Sequence, residues 1–167
     1  FDYHKPLSSK TPDEVWQLTE EKLAQDDFSV RNLIRRSNVK VICTTDDPAD
    51  TLEWHKKIAE DPTFDVQVLP AWSPDKAMNV EKPDYADYIA ELGEAAGMKI
   101  ESFADLKNAL SKRMDYFESL GCRVSDHAHK YIPYAPASAE EVEAIFRKGL
   151  AGEEITDEEE RIFKTAF

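Results

Sequence analysis

The sequence predicts an α/β fold with parallel strands and a large helical complement. Three short runs that are rich in β-branched and apolar residues are typical of strands, at 39–45, 65–72 and 122–128. Stretches with the apolar spacing of helices lie between these runs. Because strands that alternate with helices form βαβ units, we expect the three strands to be parallel neighbours joined by helices.

The composition is that of a folded, acidic chain of 167 residues. It carries 21 basic and 34 acidic side chains, so its formal net charge is −13. This surplus of acidic side chains argues against binding to nucleic acid or to an anionic membrane, since there is no excess of basic groups to neutralise phosphates. No apolar run approaches the roughly 20 residues that span a bilayer, and no secretory leader is visible. We therefore predict a cytoplasmic protein in which Cys43 and Cys122 are buried free thiols.

The first helices are predicted from their N-terminal signals. Thr11 stands before Pro12, and proline is common at the first helical position because its fixed φ suits a helix. The apolar side of this helix consists of Val15, Trp16, Leu18 and Leu23. A short helix with Phe28 on its buried face is expected to follow.

Two helix starts are predicted immediately after strands. Asp47 is the expected N-cap behind the first strand, with Pro48 as the first helical residue. Ser73 and Pro74 repeat this signature behind the second strand.

The second half of the chain is predicted to be helical apart from its one strand. One helix has a stripe formed by Tyr85, Tyr88, Ile89 and Leu92. It is expected to end at Gly97, and a long amphipathic helix should run from Phe103 to near Gly121. Ser138 and Thr156 each stand three residues before a glutamate, which predicts a capping box and a helix at both places.

Polar residues cluster where the predicted strands end, which is where ligands collect in parallel α/β folds. The clusters are 44–47, 72–73 with 75–76, and 125–127 with His129. In the first cluster Asp47 has a structural explanation as a helix cap, whereas Asp46 is left over and could face a pocket. Trp72 could stack on a sugar ring, although a buried tryptophan is more often part of the core.

His127 is the most suggestive residue of the chain. A histidine just past an apolar strand can offer a ring nitrogen to a divalent metal, or a backbone carbonyl can simply satisfy it. His127 and His129 would point the same way along a strand, as alternate residues do. If residues 128–130 are already loop, this two-histidine metal clip does not form. The sequence around His4 and His55 gives little indication that either histidine belongs to a functional site.

Several blocks of the chain resemble the central region of the uronate isomerases, also called glucuronate isomerases. The blocks are 41–48 with 52–59, 69–76, 121–127, and 145–152 leading into Thr156. Their order and spacing are intact from about Thr11 onward, so the resemblance covers most of the chain and is highly specific.

The resemblance implies a segment of a (β/α)8 TIM barrel of the amidohydrolase superfamily. It implies an aldose–ketose isomerase that interconverts D-glucuronate with D-fructuronate and D-galacturonate with D-tagaturonate, with a divalent metal taken to be zinc. His127 matches a family histidine by its Ser-Asp-His context and is the expected catalytic and metal-binding residue, with Asp126 as its catalytic neighbour. Asp46, Trp72 and Arg123 are the expected substrate-binding residues.

The family's other metal ligands, an N-terminal HxH motif and an aspartate on the last strand, have no counterpart here. We therefore expect a central segment that is inactive alone, divided into a helical lead-in at 1–38, βα units at 39–128 and a helical extension at 129–167. The expected partner is a small hexuronate, and the sequence allows a homo-oligomer without specifying one. The alternative is a non-catalytic, stand-alone helical interaction or binding module derived from the same family.

Overall fold

The computed structural model describes residues 1–129 and 131–167. In these ranges the chain forms eight α-helices, two short strands and a turn of 3-10 helix at Asp26–Phe28. The helices are α1 Pro12–Leu23, α2 Val30–Arg36, α3 Glu53–Ala59, α4 Asp75–Met78, α5 Tyr85–Ala96, α6 Phe103–Ser119, α7 Ala139–Leu150 and α8 Asp157–Thr165. The strands are β1 Val41–Cys43 and β2 Gln67–Leu69. No helix within the described ranges is long and apolar enough to cross a membrane.

The first of two compact units comprises residues 1–42 and 61–67. Its small core is built around buried Phe28, and the ring of Phe1 lies 5.4 Å from the Phe28 ring. Arg36 covers the same ring with its guanidinium at 4.5 Å. The predicted apolar side of α1 is not buried, since Trp16 is 68% exposed.

The second unit comprises residues 43–60 and 68–167 and contains the main core. The last helices meet through aromatic rings: Phe103 lies 5.4 Å from Phe163, and Phe146 stacks on Phe163 at 6.3 Å. The predicted stripe of α5 is confirmed, because Tyr85, Tyr88, Ile89 and Leu92 are all buried. The core therefore lies between α5, α6, α7 and α8.

Local signals placed three helix ends of this unit correctly. Gly97 ends α5 with a φ of 62°, in the left-handed region that favours glycine. Ser138 accepts a hydrogen bond from the Glu141 amide and Thr156 accepts one from the Glu159 amide. Both capping boxes are complete, since each glutamate bonds back to the cap residue.

The prediction of parallel neighbouring strands is confirmed. β1 and β2 form a two-stranded parallel sheet, which the Thr44 amide extends by donating to the Leu69 carbonyl at 3.1 Å. Parallel bridges join Asp46 to Trp72 and Trp72 to Ser125, so the third predicted strand lies beside the second. The strands are shorter than predicted, and the described residues form a helix-rich α/β arrangement rather than a closed barrel.

The prediction that both cysteines are buried is wrong. Cys43 is exposed and Cys122 is only partly buried, although both are free thiols. In β1 the exposed residues are Val41 and Cys43, and Ile42 between them is partly covered. The described residues therefore cover this strand on one face only.

The helix after β1 also begins later than predicted. Asp47 and Pro48 do not open it, because α3 starts at Glu53 behind Leu52. The Asp47 carboxylate accepts hydrogen bonds from the Ala49 amide at 2.9 Å and from the Tyr88 hydroxyl at 3.1 Å. Residues 47–52 thus form a loop, held by contacts from distant parts of the chain that a local signal cannot reveal.

Candidate functional site

The three predicted strand ends lie side by side in the second unit. The Asp46 amide donates to the Ala71 carbonyl at 3.1 Å, and the Asp126 amide donates to the Trp72 carbonyl at 2.9 Å. The Ser73 hydroxyl donates to the Asp126 carbonyl at 3.3 Å, which adds a side-chain link between the second and third ends. The polar clusters of the sequence are thereby brought to one edge, as expected for parallel strands.

His127 faces a carboxylate, and that carboxylate belongs to Asp75. The His127 Nδ1 atom lies 4.0 Å from Asp75 Oδ1, and both Asp75 oxygens accept from the Ala128 amide, at 3.1 and 3.2 Å. Asp126, by contrast, is exposed and takes part in the site through its backbone. With Asp75 beside Nδ1, the Nε2 atom of His127 is the ring nitrogen left for a ligand.

His129 lies on the same side as His127, as the alternation along a strand predicts. Their rings stack with centroids 5.5 Å apart and an angle of 15° between planes. Among the described residues, no three side chains of the types that bind metals are grouped closely enough to hold an ion. Because a zinc site normally has three or four protein ligands, these two imidazoles are not a complete site.

A cavity of about 500 Å³ opens beside the two histidines. Trp72, Ser125, His127, His129 and Lys164 contribute to its wall. The Trp72 side chain is only 8% exposed, and its ring meets the ring of Phe117 edge-on at 5.1 Å. Trp72 is therefore both a core residue and part of a cavity wall, so the two interpretations of this residue are compatible.

Arg123 lines a different groove, of about 400 Å³, which it shares with Trp72 and Ser125. Its guanidinium donates to the carbonyls of Cys122 at 2.6 Å and of Glu118 at 3.3 Å, and its side chain is exposed. In this structure Arg123 and His127 are not brought to one cavity.

Asp46 is buried, and its environment contains one residue whose role sequence reasoning overlooked, His55. Its Oδ2 atom accepts from the Thr44 hydroxyl at 2.6 Å and from the Ala71 amide at 3.1 Å. His55 Nε2 lies 2.7 Å from the same hydroxyl and 3.7 Å from Asp46 Oδ1. The sequence did contain a signal for the burial of His55, because His55 stands three residues after Leu52 on the apolar stripe of the helix.

Arg113 is the other overlooked residue. It is 8% exposed and lies on the inner face of α6. The signal was present in the sequence, because Arg113 stands three residues after Leu110 and four before Phe117, on the apolar stripe of the helix.

The chain matches the family model described as glucuronate isomerase over residues 1–167. It is 62% identical to the uronate isomerase of Lachnoclostridium phytofermentans and 58% identical to that of Lachnospira eligens, over all of its length in both cases. The chain spans 36% of the length of each of these relatives. None of these matches favours the alternative of a stand-alone binding module.

Two solved structures have the same fold over this region. The uronate isomerase of Thermotoga maritima is 34% identical and superposes with a TM-score of 0.83, covering 97% of this chain and 35% of that one. The glucuronate isomerase of Caulobacter crescentus is 27% identical with a TM-score of 0.84, covering 99% of this chain and 34% of that one. The chain therefore belongs to the glucuronate isomerase family.

Proposed function

We propose that the chain is part of an aldose–ketose isomerase that acts on hexuronates. The proposed reactions interconvert D-glucuronate with D-fructuronate, and D-galacturonate with D-tagaturonate. In the forward direction a proton leaves C2 and one is added at C1, while the hydroxyl proton of O2 is lost and O1 gains one. The observation that carries this proposal is the match to uronate isomerases along the whole chain.

We propose that the segment contributes three neighbouring strands to a (β/α)8 barrel of the amidohydrolase type. The parallel pairing of Asp46, Trp72 and Ser125 supports this, because barrel enzymes carry their active sites at the carboxyl ends of such strands. The two free thiols are compatible with a reducing compartment, and we propose the cytoplasm.

His127 is the residue to which we assign proton movement. Its imidazole is 39% exposed at the wall of the 500 Å³ cavity, where a small polar acid could reach it. A neutral imidazole whose Nδ1 faces Asp75 presents the lone pair of Nε2, which can accept a proton from substrate and return it. Trp72 lines the same wall, where its ring would contact the sugar carbons.

We propose that the complete enzyme uses a divalent metal, taken to be zinc. The described residues do not fit a complete site by themselves, since His127 and His129 supply two ring nitrogens and no third side chain is grouped with both closely enough to hold an ion. His127 is the residue of this segment that we expect to reach the ion. Since the Nε2 lone pair cannot bind a metal and accept a proton at once, metal binding by His127 would leave the proton transfer to another group of the complete enzyme.

A chimera tests the proposed function. The segment would replace its counterpart in the Lachnoclostridium phytofermentans uronate isomerase, which it matches over its full length. We expect the chimera to isomerise D-glucuronate, and we expect His127→Ala to lower kcat by at least about 100-fold, the usual contribution of a positioned acid–base group.

His4→Ala is the matched control, because His4 is exposed and lies in the other unit. It should leave turnover unchanged. Circular dichroism and thermal unfolding would confirm that each variant is folded. A folded but inactive chimera, or a His127→Ala variant with full activity, contradicts the assignment.

A further inference from the structure

The loop at 47–52 adopts a conformation that a leucine rarely takes. Leu52 has φ 52° and ψ 29°, in the left-handed region, and yet its side chain is 1% exposed. A bulky residue in this region is strained, and such strain persists where the surroundings hold the backbone firmly. The loop follows directly on the carboxyl end of β1, next to Asp46.

A buried arginine holds this loop by its backbone. Arg113 Nε donates to the Pro48 carbonyl at 2.7 Å, and Nη2 donates to the Asp50 carbonyl at 2.7 Å. Its Nη1 atom donates to the Ala95 carbonyl at 3.1 Å, so one guanidinium ties the loop to α5 and α6. The planar fork of arginine can reach three separated acceptors in fixed directions, which a lysine cannot do.

Two tyrosines hold the same loop at other points. The Tyr88 hydroxyl donates to Asp47 Oδ1 at 3.1 Å, and the Tyr116 hydroxyl donates to the Thr51 carbonyl. Burial, followed by the charge of Asp47, raises the pKa of Tyr88 well above its ordinary value, so its hydroxyl remains a donor. Within the loop, the Leu52 amide donates to Asp50 Oδ1 at 2.6 Å.

Packing alone does not explain this arrangement. In the described part of the chain Arg113 forms no ion pair with a carboxylate, and its buried donors are satisfied by main-chain carbonyls. Desolvating a cation is costly, and an apolar side chain of similar volume would fill a core position at lower cost. What the arginine adds is a defined loop shape at a strand end, where barrel enzymes bind their substrates.

We propose that Arg113 is a positioning residue for the isomerisation: by fixing the loop at 47–52 it holds Asp46, which pairs with Trp72 at the wall of the 500 Å³ cavity. This rests on the proposed function. No residue of 47–52 lines that cavity, so the loop acts through the adjoining strand ends and not by touching the hexuronate.

The test uses the chimera described above, with kcat and KM measured for D-glucuronate well below the unfolding midpoint of each variant. Arg113→Met retains an apolar stem and removes the guanidinium. We expect kcat/KM to fall by roughly 10- to 100-fold, the loss that follows when a distant substitution misplaces the groups of an active site. Arg113→Lys should recover part of that loss. Lys112→Met, on the exposed side of the same helix, is the control and should match the unmodified chimera.

Tyr88→Phe keeps the ring and removes one contact to the loop, so it decides the question if Arg113→Met does not fold. We expect a smaller fall in kcat/KM, on the order of threefold to tenfold. If these variants lower the unfolding midpoint but leave kcat and KM unchanged, Arg113 is structural and the inference is overturned. If the unmodified chimera is inactive, the proposed function fails and this inference fails with it.

Discussion

The Thr44 hydroxyl oxygen lies 2.7 Å from His55 Nε2. Thr44 has a single hydroxyl proton and also lies 2.6 Å from Asp46 Oδ2, a carboxylate oxygen that can only accept. The shorter contact assigns the proton to Asp46 rather than to the Leu69 carbonyl at 3.2 Å, and His55 then donates to Thr44 from Nε2. The buried Nδ1 atom of His55 has no partner among the described residues.

This chain of hydrogen bonds predicts unequal effects of two similar substitutions at Thr44. Thr44→Val preserves the shape but leaves the Nε2 donor of His55 without this acceptor and removes one of the two bonds to Asp46 Oδ2, so it should lower the free energy of unfolding by about 1–3 kcal/mol. Thr44→Ser keeps the hydroxyl and should cost less than about 1 kcal/mol. Urea unfolding of the two variants measures the difference, and equal losses would show that the hydroxyl is unimportant.

Gly149 is predicted to resist replacement because α7 packs tightly there. A Cβ at this position would overlap the Cγ2 atom of Val80 and lie 3.2 Å from the Tyr85 Cδ1 atom. Overpacking costs about 1–3 kcal/mol, which should outweigh the gain of about 1 kcal/mol in helix propensity. Gly149→Ala should therefore lower the thermal midpoint. Val80→Ala should be less harmful in the Gly149→Ala background than alone, and strictly additive effects would contradict the contact.

The capping box of α8 predicts a dependence of stability on acid pH. The Thr156 amide, followed by the Lys148 ammonium, lowers the pKa of Glu159 from 4.5 to about 2. Because the unfolded state takes up the proton first, this stabilisation is present above about pH 4.5 and is lost as the pH falls towards 2. Compared with Glu159→Gln, the native chain should be more stable at pH 6, and the difference should vanish near pH 2. A difference that is constant with pH would refute the assignment.

The 167-residue chain alone should not isomerise D-glucuronate. His127 and His129 are too few ligands for a catalytic zinc ion, which normally has three from the protein. The measurements are turnover and metal content after dialysis, with the chimera assayed in parallel. Turnover by the chain alone, with one ion bound per molecule, would make the histidine pair itself the active site.

The cysteines should differ in their reactivity. Cys43 is exposed, whereas Cys122 is partly buried and its thiol contacts the Val124 carbonyl at 3.4 Å. A thiol reagent should therefore label Cys43 faster than Cys122 in the native chain, and the two should react alike in urea. Cys43→Ser would identify the fast phase.

The features that sequence predicted correctly have causes within a few residues. Gly97 ends α5, and the glutamates three residues beyond Ser138 and Thr156 complete their capping boxes without help from the rest of the chain. Strand direction was also predictable, because the helices between the strands leave parallel pairing as the simplest connection.

The features that sequence missed depend on residues far apart in the chain. Asp47 and Pro48 have the signature of a helix start, but Tyr88 and Arg113 hold them in a loop. The carboxylate beside His127 is that of Asp75, which is 52 positions earlier and reaches it through strand pairing. Adjacent Asp126 was the natural choice from the sequence, since a linear pattern favours neighbours.

The backbone clamp of Arg113 has a consequence for directed evolution. Every amino acid carries the carbonyl oxygens that Arg113 and Tyr116 bind, so the clamp does not depend on which side chains stand at positions 49 and 51. The side chains of Asp47 and Asp50, in contrast, accept hydrogen bonds that shape the loop and would have to be kept. A library randomised at Ala49 and Thr51 alone would thus vary the side chains of this loop while the backbone retains its path.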